Sequence, residues 1–227
     1  MKIGLLTCAL PPEPVLNAHG PFLSMFQDLL AGQGFTFENW NVEGMDFPTA
    51  PDQADAWLIT GARHGAYENH AFIPPLEQFV RDAFAQKAPM IGICFGHQII
   101  AQALGGTVEK FDGGWAIGYH DYDIGGETYH LNAWHQDQVT KLPDGAERTG
   151  SNAFCENAML HYAGKALTIQ PHPEFDAASI ESLLLSRAKG VVPDDLQQVA
   201  KDRLPLDDNN AKMGMLLAHF LKTKSLT

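Results

Sequence analysis

Gly92-Ile93-Cys94-Phe95-Gly96 sets a thiol between two glycines, where an apolar run meets the start of a helical period. A nucleophile on a sharp strand-to-helix turn needs small neighbours on both sides, because backbone segments approach closely there. A helix N-terminus behind a thiol favours the thiolate, which is the attacking species. The amide of the next residue, Phe95, then points to where an oxyanion would develop. A lone cysteine in an apolar run is otherwise a small buried hydrophobe, so the flanking glycines carry the reading.

A cysteine nucleophile needs a base, and Gln170-Pro171-His172-Pro173-Glu174 offers one. The motif follows the apolar run Ala166–Ile169, which places it at the carboxyl end of a strand, where sites in open α/β sheets gather. Residues before proline are held extended, and positions two apart on an extended chain face one side. His172 and Glu174 are therefore expected together, as a base and the carboxylate that orients it. Taken alone, His-Pro-Glu is more often a pair of solvated residues in a proline-rich turn; beside the cysteine elbow that becomes the minority reading.

With both motifs in this order, the chain resembles the class I (triad) glutamine amidotransferases over roughly residues 55–175. The resemblance implies a Cys–His–Glu triad that releases ammonia from the side-chain amide of glutamine through a thioester. Cys94 is then the nucleophile, His172 the acid/base and Glu174 its orienter. It also implies an oxyanion hole from the Phe95 amide and from an amide of the loop Thr60-Gly61-Ala62-Arg63-His64-Gly65. That loop departs from the commoner Gly-Gly-Pro form, so the second donor is Gly61, with Ala62 as the alternative. Gln98, one helical turn after Cys94, corresponds to a glutamine that holds the substrate's amino-acid end; by itself it is equally a polar cap on a buried helix face. His135, in His135-Gln136-Asp137-Gln138-Val139, resembles the family's His-x-Asp-x-Val segment near the bound glutamine's α-groups, or is a packing histidine. An α/β-hydrolase places its acid before the histidine, which argues against that fold.

The elements needed to position these groups are legible as periodicity. Lys2–Thr7, Thr36–Asn41, Ala56–Thr60 and Met90–Ile93 read as short strands. Between them run helical patterns through Phe22–Leu30, through Leu76–Phe84 after Pro74-Pro75, and through Ile99–Leu104. This rhythm predicts an α/β fold with an open, mostly parallel sheet and helices on both faces, a flavodoxin-like three-layer sandwich. From Gly113 to Gln170 the segments are short, aromatic and glycine-punctuated, which predicts added antiparallel strands, with a hairpin from Ala158–Tyr162 to Ala166–Gln170. Helical period returns around Ile180–Leu184 and Met213–Leu221, with Val192–Asn210 read as loop. The expected organisation is one domain over 1–227 with a helical C-terminal extension from about 176.

Fifteen lysines and arginines against 27 aspartates and glutamates leave a net charge of −12, with no basic stripe to track a phosphate backbone. Nucleic acid and membrane are therefore not expected as partners. Three cysteines without a CxxC pair exclude a disulfide framework and a thiolate zinc site, and with no leader-like start they point to the cytoplasm. Cys8 and Cys155 read as structural; no i,i+4 His pair or HExxH appears and no metal is expected, nor does a GxGxxG or Walker-type loop suggest a nucleotide cofactor. No synthetase segment is visible, and Gly114–Gly118 and the Gly61 loop look like stand-alone members, some of which resemble γ-glutamyl peptidases. Glutamine or a γ-glutamyl compound is the expected substrate, with a synthetase bound in trans as an open alternative. A non-catalytic, amino-acid-sensing subunit is the reading from another class, and three intact triad residues count against it.

Overall fold

The computed structural model describes residues 1–227. The strands β1 (Lys2–Thr7), β2 (Thr36–Asn41), β3 (Ala56–Ile59) and β4 (Met90–Ile93) fall where the apolar runs predict. The strand-rich half supplies β5 (Thr107–Lys110), β6 (Ala116–Ile124), β7 (Glu127–His135), β8 (Asp137–Lys141) and β9 (Glu147–Ser151). It closes with the hairpin β10 (Met159–His161) and β11 (Ala166–Ile169). Seven helices complete the fold. These are α1 (Glu13–His19), α2 (Phe22–Leu29), α3 (Ile73–Ala85), α4 (Phe95–Ala103), α5 (Ala177–Arg187), α6 (Asp194–Arg203) and α7 (Asn210–Thr223).

Nine strands form one sheet in the order β2-β1-β3-β4-β11-β10-β9-β6-β7. The first five are parallel, in the doubly wound order of flavodoxin-like folds, and the last four extend the edge antiparallel. Two of the added strands do not join that edge: β5 and β8 pair with each other in a separate sheet. Val192–Asn210, expected to be loop, is helical over Asp194–Arg203. Few apolar residues mark α6, because only Ala200 of that helix is buried. The short helix α1 carries no apolar period for the same reason, having Val15 as its one buried residue.

Successive residues of a strand point to opposite faces, and the two cores follow that alternation. Ile3, Leu5, Leu58, Ile91 and Ile169 pack with Phe22 and Phe26 of α2, Ile180 and Leu183 of α5, and Leu217 and Phe220 of α7. Leu6, Trp57, Ile59 and Met90 pack on the other side with Leu76 and Phe79 of α3 and with Ile99 and Ile100 of α4. Both faces are therefore covered, which suits strands apolar along their whole length. No helix is both long and apolar enough to cross a membrane.

The turn from β4 into α4 is where packing is closest. A Cβ on Gly96 would lie 2.2 Å from the Ile59 carbonyl oxygen of β3, and one on Gly92 would lie 2.5 Å from the Gly96 oxygen. Both obstacles are backbone, so neither can swing aside. Gly96→Ala is expected to destabilise the fold by about 1–3 kcal/mol through overpacking, measured as a lowered midpoint in urea unfolding. An unchanged midpoint would show that α4 does not rest against β3 as described.

Candidate active site

Three parallel strands, adjacent in the sheet, carry three segments to one end of it: Gly61 just beyond β3, Cys94 just beyond β4 and His172 just beyond β11. The Cys94 amide donates to the Ile169 carbonyl at 2.9 Å, tying the ends of β4 and β11 together. Cys94 is the N-cap of α4, with φ 52° and ψ −105°. A non-glycine residue held there stores strain of order 1–3 kcal/mol, and such strain persists only where the surroundings enforce it. Here the enforcement is the β4–α4 turn packed on Ile59. As the first helical residue, Phe95 has an amide with no intrahelical acceptor, while its ring is buried against Phe72.

His172 and Glu174 do meet, but not for the reason the sequence suggested. The segment is a turn closed by Phe175 N–H donating to the His172 carbonyl at 3.2 Å, rather than an extended run. Within that turn His172 Nδ1 and Glu174 Oε1 are 2.7 Å apart, with side chains 5% and 0% exposed. β7 pins the turn. The His172 amide donates to the Asn132 carbonyl at 2.8 Å, and the Asn132 side-chain amide donates to the Phe175 carbonyl at 2.9 Å. Phe175 lies flat on the imidazole, ring centroids 4.2 Å apart and planes within 5°. Gly61 is a further neighbour, where a Cβ would come within 2.9 Å of His172 Cε1. The amides of Gly61 and Ala62 donate to no group in the chain.

Burial opposes the charged imidazolium, yet the charges of Glu174 and Cys94 and hydrogen bonds to both outweigh it, raising His172 to about 10. The other buried histidines go the opposite way. Burial pushes His97 down to about 3, and burial together with the charge on His172 does the same to His135. Neutral His135 donates from Nδ1 to the Asp137 carbonyl at 3.2 Å, which leaves Nε2 as an acceptor with no partner in the chain. Gln98 spends its amide nitrogen on the Asp137 carbonyl and on Gln170 Oε1. Burial pushes the Cys8 thiol up strongly and that of Cys155 to about 12.

Gly61, Cys94, Gln98, His135 and His172 line one cavity of about 390 Å³. Glu174 sits behind the imidazole and does not reach the cavity. Residues with no role assigned from the sequence also line it, among them Trp115 and Trp134 from the strand-rich half, Leu183 and Arg187 from α5, Val191, and His64 and Glu68 of the loop after Gly61. The stretch after Phe175 thus contributes to the cavity, although it carries no recognisable motif. Nothing in an ordinary amphipathic helix marks which residues face a site.

Residues 51–188 match the model of the family described as glutamine amidotransferase class-I. The chain belongs to that family. A glutamine amidotransferase-like protein of Schizosaccharomyces pombe is 26% identical, with 96% of this chain and 98% of the relative aligned. Gamma-glutamyl peptidase 3 of Arabidopsis thaliana is 26% identical over 76% of this chain and 75% of its own. A solved glutamine amidotransferase of Thermotoga maritima shares the fold, with a TM-score of 0.72 over 98% of this chain and 95% of that one, at 18% identity. The matched span of this amidotransferase-family chain includes every cavity residue anticipated from sequence.

The raised His172 value fixes the direction of a pH effect. Below about 6.5, the ordinary histidine value, the ring is charged in folded and unfolded chains alike and the stabilisation from its partners is fully present. That contribution is lost as pH rises through about 10. An NMR titration of His172 is expected to show a midpoint far above 6.5, lowered in Glu174→Gln and in Cys94→Ser. The stability advantage of the parent over Glu174→Gln should shrink between these two pH values. A parent midpoint near 6.5 would contradict the described electrostatics.

Proposed function

We propose that this chain is a thiol amidase that opens the γ-amide of glutamine or of a γ-glutamyl compound through a thioester on Cys94. The observation that carries the reading is the sequence of contacts at the cavity floor: Cys94 on its strained elbow, His172 beside it, and Glu174 holding the far side of the ring. The Cys94 thiolate attacks the γ-carbonyl carbon. The amides of Phe95 and Gly61, with Ala62 next in line, take the developing oxyanion. Imidazolium His172 gives its proton to the leaving nitrogen, which departs as ammonia or an amine. Neutral His172 then takes a proton from water as the hydroxyl attacks the thioester, and collapse returns glutamate, the thiolate and the imidazolium. In this reading the substrate's α-groups rest against Gln98 and His135, which line the same cavity. Glu174 keeps the imidazole in place and stabilises its charge without taking the proton.

A specific observation favours the γ-glutamyl peptide over free glutamine as the better substrate. The cavity that holds Cys94 also takes in Trp115, Leu183, Val191 and Arg187, which gives room for a leaving group larger than ammonia. Its volume is in the range that encloses drug-sized ligands. Similarity to a γ-glutamyl peptidase supports the same reading.

Cys94→Ala and His172→Ala are expected to remove nearly all turnover, with Glu174→Ala retaining more. Release of ammonia from glutamine and of amino acid from γ-glutamyl dipeptides, measured on the purified chain, gives the two kcat/KM values. A tenfold preference for dipeptide, about 1.4 kcal/mol of transition-state binding, would establish the peptidase. Turnover of neither, restored by a cell extract, would point to a synthetase partner. Full activity in Glu174→Ala would refute the assigned triad.

A further inference from the structure

The loop that leaves Gly61 brings together side chains that the amidase chemistry does not use. His64, Glu68 and His70 each direct one ligand atom into a space in which all three atoms lie within 4.8 Å of one another. His70 Nε2 is 2.7 Å from Glu68 Oε2, and His64 Nδ1 is 3.8 Å from the same oxygen. In a tetrahedral site with metal–ligand bonds of about 2.1 Å, donor atoms stand about 3.4 Å apart. The observed separations bracket that value. Small rotations of two solvent-facing side chains would therefore satisfy it.

The surroundings supply a second, independent feature. With Nδ1 facing the cluster, His64 presents Nε2 to Glu43 Oε1 at 2.9 Å. Glu43 lies on a different segment, the turn after β2, and is itself held by Arg63 Nη2 at 3.1 Å. A carboxylate on the far nitrogen of a ligating imidazole fixes its tautomer and raises its basicity, and metal-bound histidines almost always have such a partner. Phe72 packs against both rings, with centroids 5.7 Å from His64 and 6.0 Å from His70, and forms a dry wall on one side. Glu68 is exposed, which leaves an entry path. Its hydrogen bond to His70 keeps its carboxyl below the usual range, so it is anionic at neutral pH. Glu43 and Glu68 stand beside Arg63, and the nearby Asp137 has Lys110 beside it.

We propose that His64 Nδ1, Glu68 and His70 Nε2 form a binding site for a divalent ion of the zinc class, with Glu43 as the carboxylate that orients His64. Two imidazoles and one carboxylate suit zinc among the common divalent ions; magnesium and calcium prefer all-oxygen sets. The site joins the loop after β3 to the entry of α3, so occupancy closes the intervening residues into a ring. His64 and Glu68 also line the cavity that holds Cys94 and His172, but the three ligand atoms are not ones the amidase reading uses, and the site does not depend on that reading.

The test titrates zinc sulfate into the Cys94→Ser protein by calorimetry, because a free thiolate beside an imidazole would itself take zinc. One site of micromolar or tighter affinity is expected, together with a higher melting temperature. His70→Ala and Glu68→Gln in the same background should each weaken binding at least tenfold, and Glu43→Gln by about 10–100-fold. Cobalt should give the intense visible bands of a four-coordinate site with no sulfur charge-transfer band. The proposal is overturned if Cys94→Ser protein takes up no zinc, if uptake is the same in the His70 and Glu68 variants, or if the cobalt spectrum shows sulfur.

Discussion

Holding an imidazole and a carboxylate 2.7 Å apart with almost no access to water, as His172 and Glu174 are held, is expensive and constrains everything around them. Taking such charges out of water costs several kcal/mol per ion, and removing one partner of a buried pair is destabilising by about 3–5 kcal/mol. The pair is tolerable only where the geometry is kept. Glu174 Oε2 has no partner in the chain, so the imidazole is the one strong partner of that carboxylate. The flat contact with Phe175, the Asn132 clamp and the absence of a side chain at Gly61 together leave the ring a single orientation. The imidazole also lines the cavity and has Cys94 as its second side-chain hydrogen-bond partner.

The same economy explains the doubly wound sheet. Three groups distant in sequence must converge within hydrogen-bonding reach, and carboxyl ends of adjacent parallel strands do this without long loops. β4 lies between β3 and β11, so the residue after β4 has Gly61 on one side and His172 on the other. The antiparallel extension then serves the site from the side. β7 delivers Asn132 to the His172 turn and ends at His135, while the step from β7 into β8 sets the Asp137 carbonyl between His135 and Gln98. The α7 entrance adds Asn210, whose side-chain amide donates to the same Phe175 carbonyl at 2.9 Å.

Much of this was legible in the residues because the decisive features are local. Strands with uninterrupted apolar runs, such as Met90–Ile93, were read with their ends in place, and the two glycines around Cys94 mark a close backbone approach that the β3–α4 contact bears out. What was not legible depends on tertiary contact. The His172–Glu174 proximity comes from a turn pinned by Asn132, forty positions away in the chain, so the prolines name the right neighbours while the extended geometry they suggest is not the one adopted. α6 buries one residue and has almost no apolar stripe to detect. The contributions of Trp115, Leu183 and Arg187 to the cavity follow from how α5 lies across the sheet, which periodicity does not specify. His64 and His70 are unremarkable in sequence and meet only because the loop folds back before α3.

The central claim is that one thiol of three is the attacking group. Cys8 and Cys155 are buried with their thiols pushed well up, whereas Cys94 opens on the cavity. The most direct measurement is mass spectrometry of the intact and digested chain after treatment with a glutamine-like electrophile. A single adduct on the peptide carrying Cys94, with none on those carrying Cys8 or Cys155, and protection by excess glutamine, is the predicted result. Preferential labelling of Cys8 or Cys155, or labelling of Cys94 that glutamine does not slow, would contradict it.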